Sequence, residues 1–366
     1  MKKIILLFAI SSVIIISCNH KKSIDKKTNL RGLVDTVGFA HQSWQMDSII
    51  SRINNTQGDL LQNALKIADV NDNTQWKAII SPHDDYTYAG YSYLTGIKNI
   101  KAQTIIFFGV THKARLLGLE NQIIFDDYTS WRGPYGEIKP SSVREDIIKQ
   151  LPKDIYQIND SMQEIEHSVE AILPFLQYYN HNIEFVSILV PYMSYDRMVE
   201  IARPLAQAIK KIAKQKNWKW GKDYTFIIST DAVHYGDKDW GTSELNFYGS
   251  DTAGYKKAVN HEHEIIKNSL TGELFQSKIK KFINHTTDTT NFKNGTWSWC
   301  GRYSVPMGLM TVYNLQILLD EKLNGTLLSY STSIDHKHIC VDDIKMGVTA
   351  PANIHHWVGY ASIGYR

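Results

Sequence analysis

Cysteine is scarce in this chain, with 3 thiols among 366 residues, which excludes a scaffold knit together by disulfides. Charge of one sign is missing too: 40 basic residues against 37 acidic ones leave a formal net charge of +3. No lysine or arginine cluster interrupts the body, so nucleic-acid binding, which needs a clustered basic face, is excluded. A composition of 43% hydrophobic and 21% charged residues is that of a globular protein with a sizeable core and excludes wholesale disorder.

The one long apolar run stands at the start, M-K-K-I-I-L-L-F-A-I-S-S-V-I-I-I-S-C, and it is too short to span a bilayer comfortably. Two lysines precede it, and Ile15-Ile16-Ser17-Cys18 resembles a bacterial lipobox, in which Cys18 becomes lipid-modified. An uncleaved N-terminal anchor is the competing reading, and the cysteine that ends the run favours the lipoprotein. The expected organisation is a lipoprotein signal peptide over residues 1–18, a tether and lead-in segment over 19–45, and one domain over 46–366. The body is then expected outside the cytoplasm, periplasm-facing, held to a bacterial membrane by its lipid.

Along the body, buried strand patterns alternate with helical ones. Strands are expected at Lys77–Ser81, Thr104–Val110, Glu184–Pro191 and Tyr224–Asp231, with closing antiparallel strands at 326–334 and 357–365. Helices are expected at 47–68 in two pieces, 141–151, from about Glu164 through His167 to Leu176, 198–216, 255–269, 273–284 and from Val305 to Leu319. This alternation predicts an α/β fold, a single domain with a central, mostly parallel or mixed sheet flanked by helices.

Three of the strands stop at a histidine: A-I-I-S-P-H at His83, T-I-I-F-F-G-V-T-H at His112 and Y-T-F-I-I-S-T-D-A-V-H at His234. In a parallel sheet the carboxyl ends of the strands are where a site forms. A further junction, W-S-W-C-G-R-Y-S-V-P-M-G, sets Cys300 and Arg302 at the entrance of an apolar helix. Imidazole and thiolate are ligands for iron, copper or zinc, and side chains from separate strand ends can converge on one ion. His83, His112 and Cys300 form one such set, with Asp231 and His234 placed to complete the sphere or to act as a base. The plainer alternative is that His83 and Asp231 hydrogen-bond across the strand ends and hold the sheet mouth without a metal.

The segments P-H-D-D-Y-T-Y-A-G, G-V-T-H, E-H-S-V-E-A-I-L-P-F-L, I-I-S-T-D-A-V-H-Y-G and W-C-G-R-Y-S-V-P-M-G stand in the order and spacing of the Memo family. Its bacterial members are called AmmeMemoRadiSam system protein B. The chain is identified as a member from roughly Trp76 to its C-terminus. The resemblance implies a fold similar to the class III extradiol dioxygenases, with His83, His112 and Cys300 in the positions that the family associates with iron or copper. Asp231 and His234 match S-S-D-x-x-H, and His167 and Glu170 match E-H-S-x-E, which lies near the same cavity. The sequence departs from the family at Asp84-Asp85, where Ala-Gly is usual, at Val110, and in a longer stretch before Cys300 that adds Trp297 and Trp299.

The resemblance implies a metal-dependent redox enzyme acting on a small molecule, with His167, His234 and Asp231 as the catalytic candidates. The alternative is a non-catalytic metal- or peptide-binding lipoprotein on a retained dioxygenase-like scaffold. Cys300 and Cys340 are a possible disulfide pair. The match of Cys300 to the family motif favours a free thiol, its pKa expected to be lowered by Arg302.

Overall fold

The computed structural model describes residues 29–366 except Thr242. The expected signal peptide, with Cys18, and the first part of the expected tether lie outside the described residues. Among the described residues, no helix is long and apolar enough to cross a membrane.

The strands are β1 (Leu30–Arg31), β2 (Ala78–Ser81), β3 (Thr104–Val110), β4 (Ile123–Phe125), β5 (Ser130–Gly133), β6 (Gly136–Pro140) and β7 (Tyr156–Ile158). They continue with β8 (Glu184–Val190), β9 (Tyr224–Ser229), β10 (His234–Gly236), β11 (Gly272–Glu273), β12 (Asn324–Thr332) and β13 (His356–Tyr365). The helices are α1 (Ser43–Thr56), α2 (Gly58–Ile67), α3 (Tyr86–Ile97), α4 (Val143–Ile148) and α5 (Asp160–Glu164). The rest are α6 (Leu173–Tyr179), α7 (Tyr195–Lys216), α8 (Thr252–Ser269), α9 (Gln276–Thr286) and α10 (Ser304–Leu319).

One mixed sheet runs in the order β1-β5-β6-β8-β3-β9-β2-β13-β12-β11. Its centre, β8-β3-β9-β2, is parallel, and β13 and β12 extend it antiparallel. The alternation of β3 shows why the centre reads as an unbroken apolar run. Ile106 and Phe108 enter the core on one face, and Ile105 and Phe107 enter the core on the other. Helices α7 and α10 cover the first face, and α1, α2, α3 and α6 cover the second.

Helix α7 follows from its sequence: Met198, Ile201, Leu205, Ile209 and Ile212 bury one stripe. The Ser194 side chain accepts the N–H of Arg197, and Asn217 ends the helix in the left-handed region at φ 54°. Helix α10 is apolar on nearly every side because it lies sandwiched on the sheet. Gly308 allows this, since a Cβ there would stand 2.6 Å from Ile228.

Two expectations need correction. The helix expected to begin around Glu164 and run through His167 is broken: α5 ends at Glu164 and α6 begins at Leu173. The Glu166 carboxylate takes the N–H groups of His167 and Ser168, which turns the chain there. Pro174, in the first turn of α6, gives that helix a new start. The lead-in segment is also part of the folded body from Asn29 on: β1 pairs with β5, and Phe39 and Ala40 are core residues.

Arg31 is the anchor of that segment. It is 1% exposed and donates to Glu170 at 2.5 Å, to the Glu166 carbonyl at 2.6 Å and to the Gln163 carbonyl at 2.9 Å. Glu170 also accepts the N–H groups of Val34 and Asp35. Removing one partner of a buried ion pair strands the other charge. Arg31→Ala is therefore expected to lower the unfolding free energy by about 3–5 kcal/mol. Urea titration checks this, and an unchanged midpoint would show that the pair holds nothing.

Candidate metal centre

In the sheet, β9 lies between β3 and β2, with Ser81 opposite Ser229 and Phe108 opposite Ile228. The chains leaving these three neighbouring carboxyl ends carry His112, Asp231 and His83, so adjacency in the sheet becomes adjacency in the site. Cys300 arrives from the other direction, just before α10. Gly301 packs so tightly on Thr230 that a Cβ would lie 2.2 Å from the Thr230 Oγ1, and its N–H donates to that hydroxyl at 3.0 Å. Only glycine permits this approach, and it sets the Cys300 Sγ 3.0 Å from the N–H of Asp231.

Donor atoms of His83, His112 and Cys300 lie within 4.8 Å of one another, as do those of Asp231, His234 and Cys300 and those of His112, Glu166 and His167. All six residues expected at the site are thus brought together. Glu170, expected nearby from its motif, instead faces Arg31.

The hydrogen bonds assign the imidazole tautomers. The Ser229 hydroxyl donates to the Ser168 carbonyl at 2.6 Å, so at 2.7 Å it accepts from His83 Nδ1. The Nε2 lone pair of His83 then points at Asp231 Oδ2, 3.3 Å away, and Cys300 Sγ, 3.5 Å away. His112 is held the same way, its Nδ1 donating to Glu166 Oε1 at 2.9 Å while its backbone N–H donates to Oε2 at 2.7 Å. A carboxylate or hydroxyl behind each imidazole, leaving Nε2 for the site, is the arrangement that orients metal ligands.

The electrostatics follow from crowding. Burial pushes His83 well down, helped by the nearby His112. Burial also pushes His112 down, but the Glu166 carboxylate and the Cys300 thiol outweigh it and leave it at about 10. Glu166, despite burial, is held well below the usual carboxylate range by His112. His167, whose ring stacks on that of His112 at 4.7 Å, falls to about 4 through burial and the charge of His112. His234 falls to about 3 for the same two reasons, and its Nε2 is buried without a partner. Burial and the Asp85 charge raise Asp231 to about 7.

The expectation that Arg302 lowers the Cys300 pKa is overturned. Burial and the Asp231 carboxylate push the thiol up, and the guanidinium rests over the Tyr303 and Tyr192 rings instead. Both Cys300 and Cys340 are free, and Cys340 lies exposed beside Asp343.

A profile of the Memo-like protein family matches residues 53–345. The chain belongs to that family. A MEMO1 family protein of Pyrococcus abyssi is 29% identical over 161 residues, which is 43% of this chain and 52% of the relative. One of Saccharolobus solfataricus is 30% identical over 163 residues, covering 43% and 52%. One of Methanothermobacter thermautotrophicus is 24% identical over 168 residues, covering 44% and 56%. The chain thus spans about half the length of the curated relatives it matches. The Memo-like family match stops short of β1 and the residues around Asp35, yet Phe39 lies 6.1 Å from His167.

Sequence reasoning missed three residues of this Memo-like site. Glu166 was overlooked beside His167, although it is the residue that fixes His112. Ser229 orients His83 from 146 positions away. Glu262, on α8, is fully buried and accepts the indole N–H groups of Trp297 and Trp299 and the N–H of Val233. It therefore holds the added tryptophans that present Cys300. A carboxylate inside an otherwise apolar helical face was the only signal for Glu262.

Glu166→Gln removes the charge that raises His112. The His112 pKa is expected to drop clearly below about 10, because the largest influence opposing burial is then gone and only Cys300 still raises it. Imidazole NMR titration reads this directly, and an unmoved His112 would refute the pairing.

Proposed function

We propose that His83, His112 and Cys300 hold iron or copper, and that the protein is a metal-dependent redox enzyme acting on a small molecule. One observation carries the reading: His83 Nε2 faces two other electron-rich groups, Asp231 Oδ2 at 3.3 Å and Cys300 Sγ at 3.5 Å. Such a cluster is favourable only when protons or a cation lie between its members. The donor set fits a soft or borderline metal, since a thiolate and two imidazoles favour iron, copper or zinc over magnesium or calcium.

When bound, the metal would supply Lewis acidity and one-electron chemistry. The chain's own residues do the rest. Glu166 and Ser229 fix the two imidazoles through Nδ1, and Glu262 fixes the loop bearing the thiol. His167 and His234, both neutral near pH 7, are placed to accept a proton from a ligand. Asp231, at about 7, can hold or release one.

Metal uptake must displace a proton from His112, which without metal stays protonated up to about pH 10, and a second from the raised Cys300 thiol. The apparent affinity is therefore expected to rise with pH toward 10, by about tenfold per unit for each proton released. Elemental analysis of protein prepared without chelators or tags should find iron or copper, and His83→Ala and His112→Ala should each lose it. Full occupancy in both folded variants would sink the proposal, as would an affinity independent of pH.

The activity reading goes with a location. We propose that Cys18 is lipidated and that the body is extracytoplasmic, supported by the charged start and the apolar run ending in Ile-Ser-Cys. Cys18→Ala is expected to abolish processing and membrane partition of the expressed protein. Unchanged fractionation would contradict this.

A further inference from the structure

Arg302 is left without a role by the site as described. It forms no ion pair with any described carboxylate, and its Nε is buried without an acceptor. Its guanidinium carbon lies 5.1 Å from the Tyr303 ring centre and 5.9 Å from that of Tyr192. On the Tyr192 ring stands a second guanidinium, Arg115, at 5.0 Å, which donates to the Lys293 carbonyl rather than to a carboxylate. Two cations therefore share one aromatic ring with no carboxylate paired to either. Nearby Glu120 is taken by Lys293, and Asp288 is taken by the N–H and hydroxyl of Thr290.

The position of Arg302 is as telling as its lack of a carboxylate partner. It borders a cavity of about 180 Å³ that also reaches His112 and Cys300. It also borders a larger groove of about 320 Å³, lined on its apolar side by Met193, Met198, Ile283 and Phe292. Gly295 leaves it room, since a Cβ there would crowd the Arg302 Nη1 at 3.0 Å. A guanidinium presents a planar fork that matches a carboxylate, and it gains most where water is largely excluded.

We propose that Arg302 is the carboxylate-recognising residue of a substrate subsite, and that the ligand of this site is an organic acid whose apolar body lies in the adjoining groove. The proposal rests on the reading of His83, His112 and Cys300 as the reacting centre for what the bound acid is presented to. Arg302 itself does no chemistry. It fixes one end of the ligand so that another part lies in the cavity beside Cys300 and His112.

The test uses hexanoate and its neutral counterpart hexanamide, titrated into the full chain, metal-free and iron-loaded, with binding followed by NMR. Hexanoate is expected to bind the native protein, to bind Arg302→Gln at least about tenfold more weakly, and to be partly retained by Arg302→Lys. Hexanamide should not distinguish the native protein from Arg302→Gln. Equal hexanoate affinity in the native and Arg302→Gln proteins would overturn the subsite. So would hexanamide binding as tightly as hexanoate, or no hexanoate binding at millimolar concentration. Metal content, measured on the same samples, separates the two readings. Arg302-dependent hexanoate binding in a protein that takes up no metal would uphold the subsite and sink the metal centre, and the reverse pattern would sink the subsite alone.

Discussion

The close approach of Gly301 to Thr230 is the constraint on which the site depends. It presses the start of α10 against the end of β9 and leaves the Cys300 sulfur on the backbone N–H of Asp231. From there the sheet does the rest, because β9 has β2 on one side and β3 on the other. A thiol placed at the end of the middle strand is within reach of what both neighbours deliver. A side chain at position 301 would lift Cys300 away and open the cluster, whichever atoms then filled it.

Charge at this junction is confined by burial rather than relieved by water. Asp84, Asp85 and Asp231 lie together, each raised to about 7 by burial and by one another. Hydrogen bonds restrain them individually: Tyr360 donates to Asp84, Thr349 to Asp85 and the His83 N–H to Asp231. Glu166 is the exception, ionised because the His112 imidazole and three backbone N–H groups surround it. The Asp84-Asp85 pair, where the family has Ala-Gly, thus lies behind His83 as part of a protonatable shell. Asp85 opens α3 at φ −45°, so the glycine usual in the family is not needed there for a left-handed backbone.

What was legible in the sequence was whatever depends on local pattern. Thr104–Val110 and the other central strands are unbroken apolar runs, each ending at a turn or a proline, so their ends and the residues just beyond them could be placed. What was illegible depends on contacts between distant positions. Glu166 reaches His112 across 54 residues and Arg31 reaches Glu170 across 139, and no periodicity announces either. The helix expected through His167 failed because a side chain captured the backbone N–H groups that the helix would have used. Arg302 was legible as a fixed cation beside the thiol, but not its orientation, which the tyrosine rings decide.

The central claim is that a thiol and two imidazoles, already oriented, share one metal ion. X-ray absorption at the edge of the bound metal tests it most directly, because it counts ligand types without reference to activity. The account predicts one sulfur and two imidazole nitrogens around the metal, with the sulfur lost in Cys300→Ser while the imidazoles remain. A coordination sphere of oxygen and nitrogen alone in the native protein, or a sulfur that persists in Cys300→Ser, would contradict it.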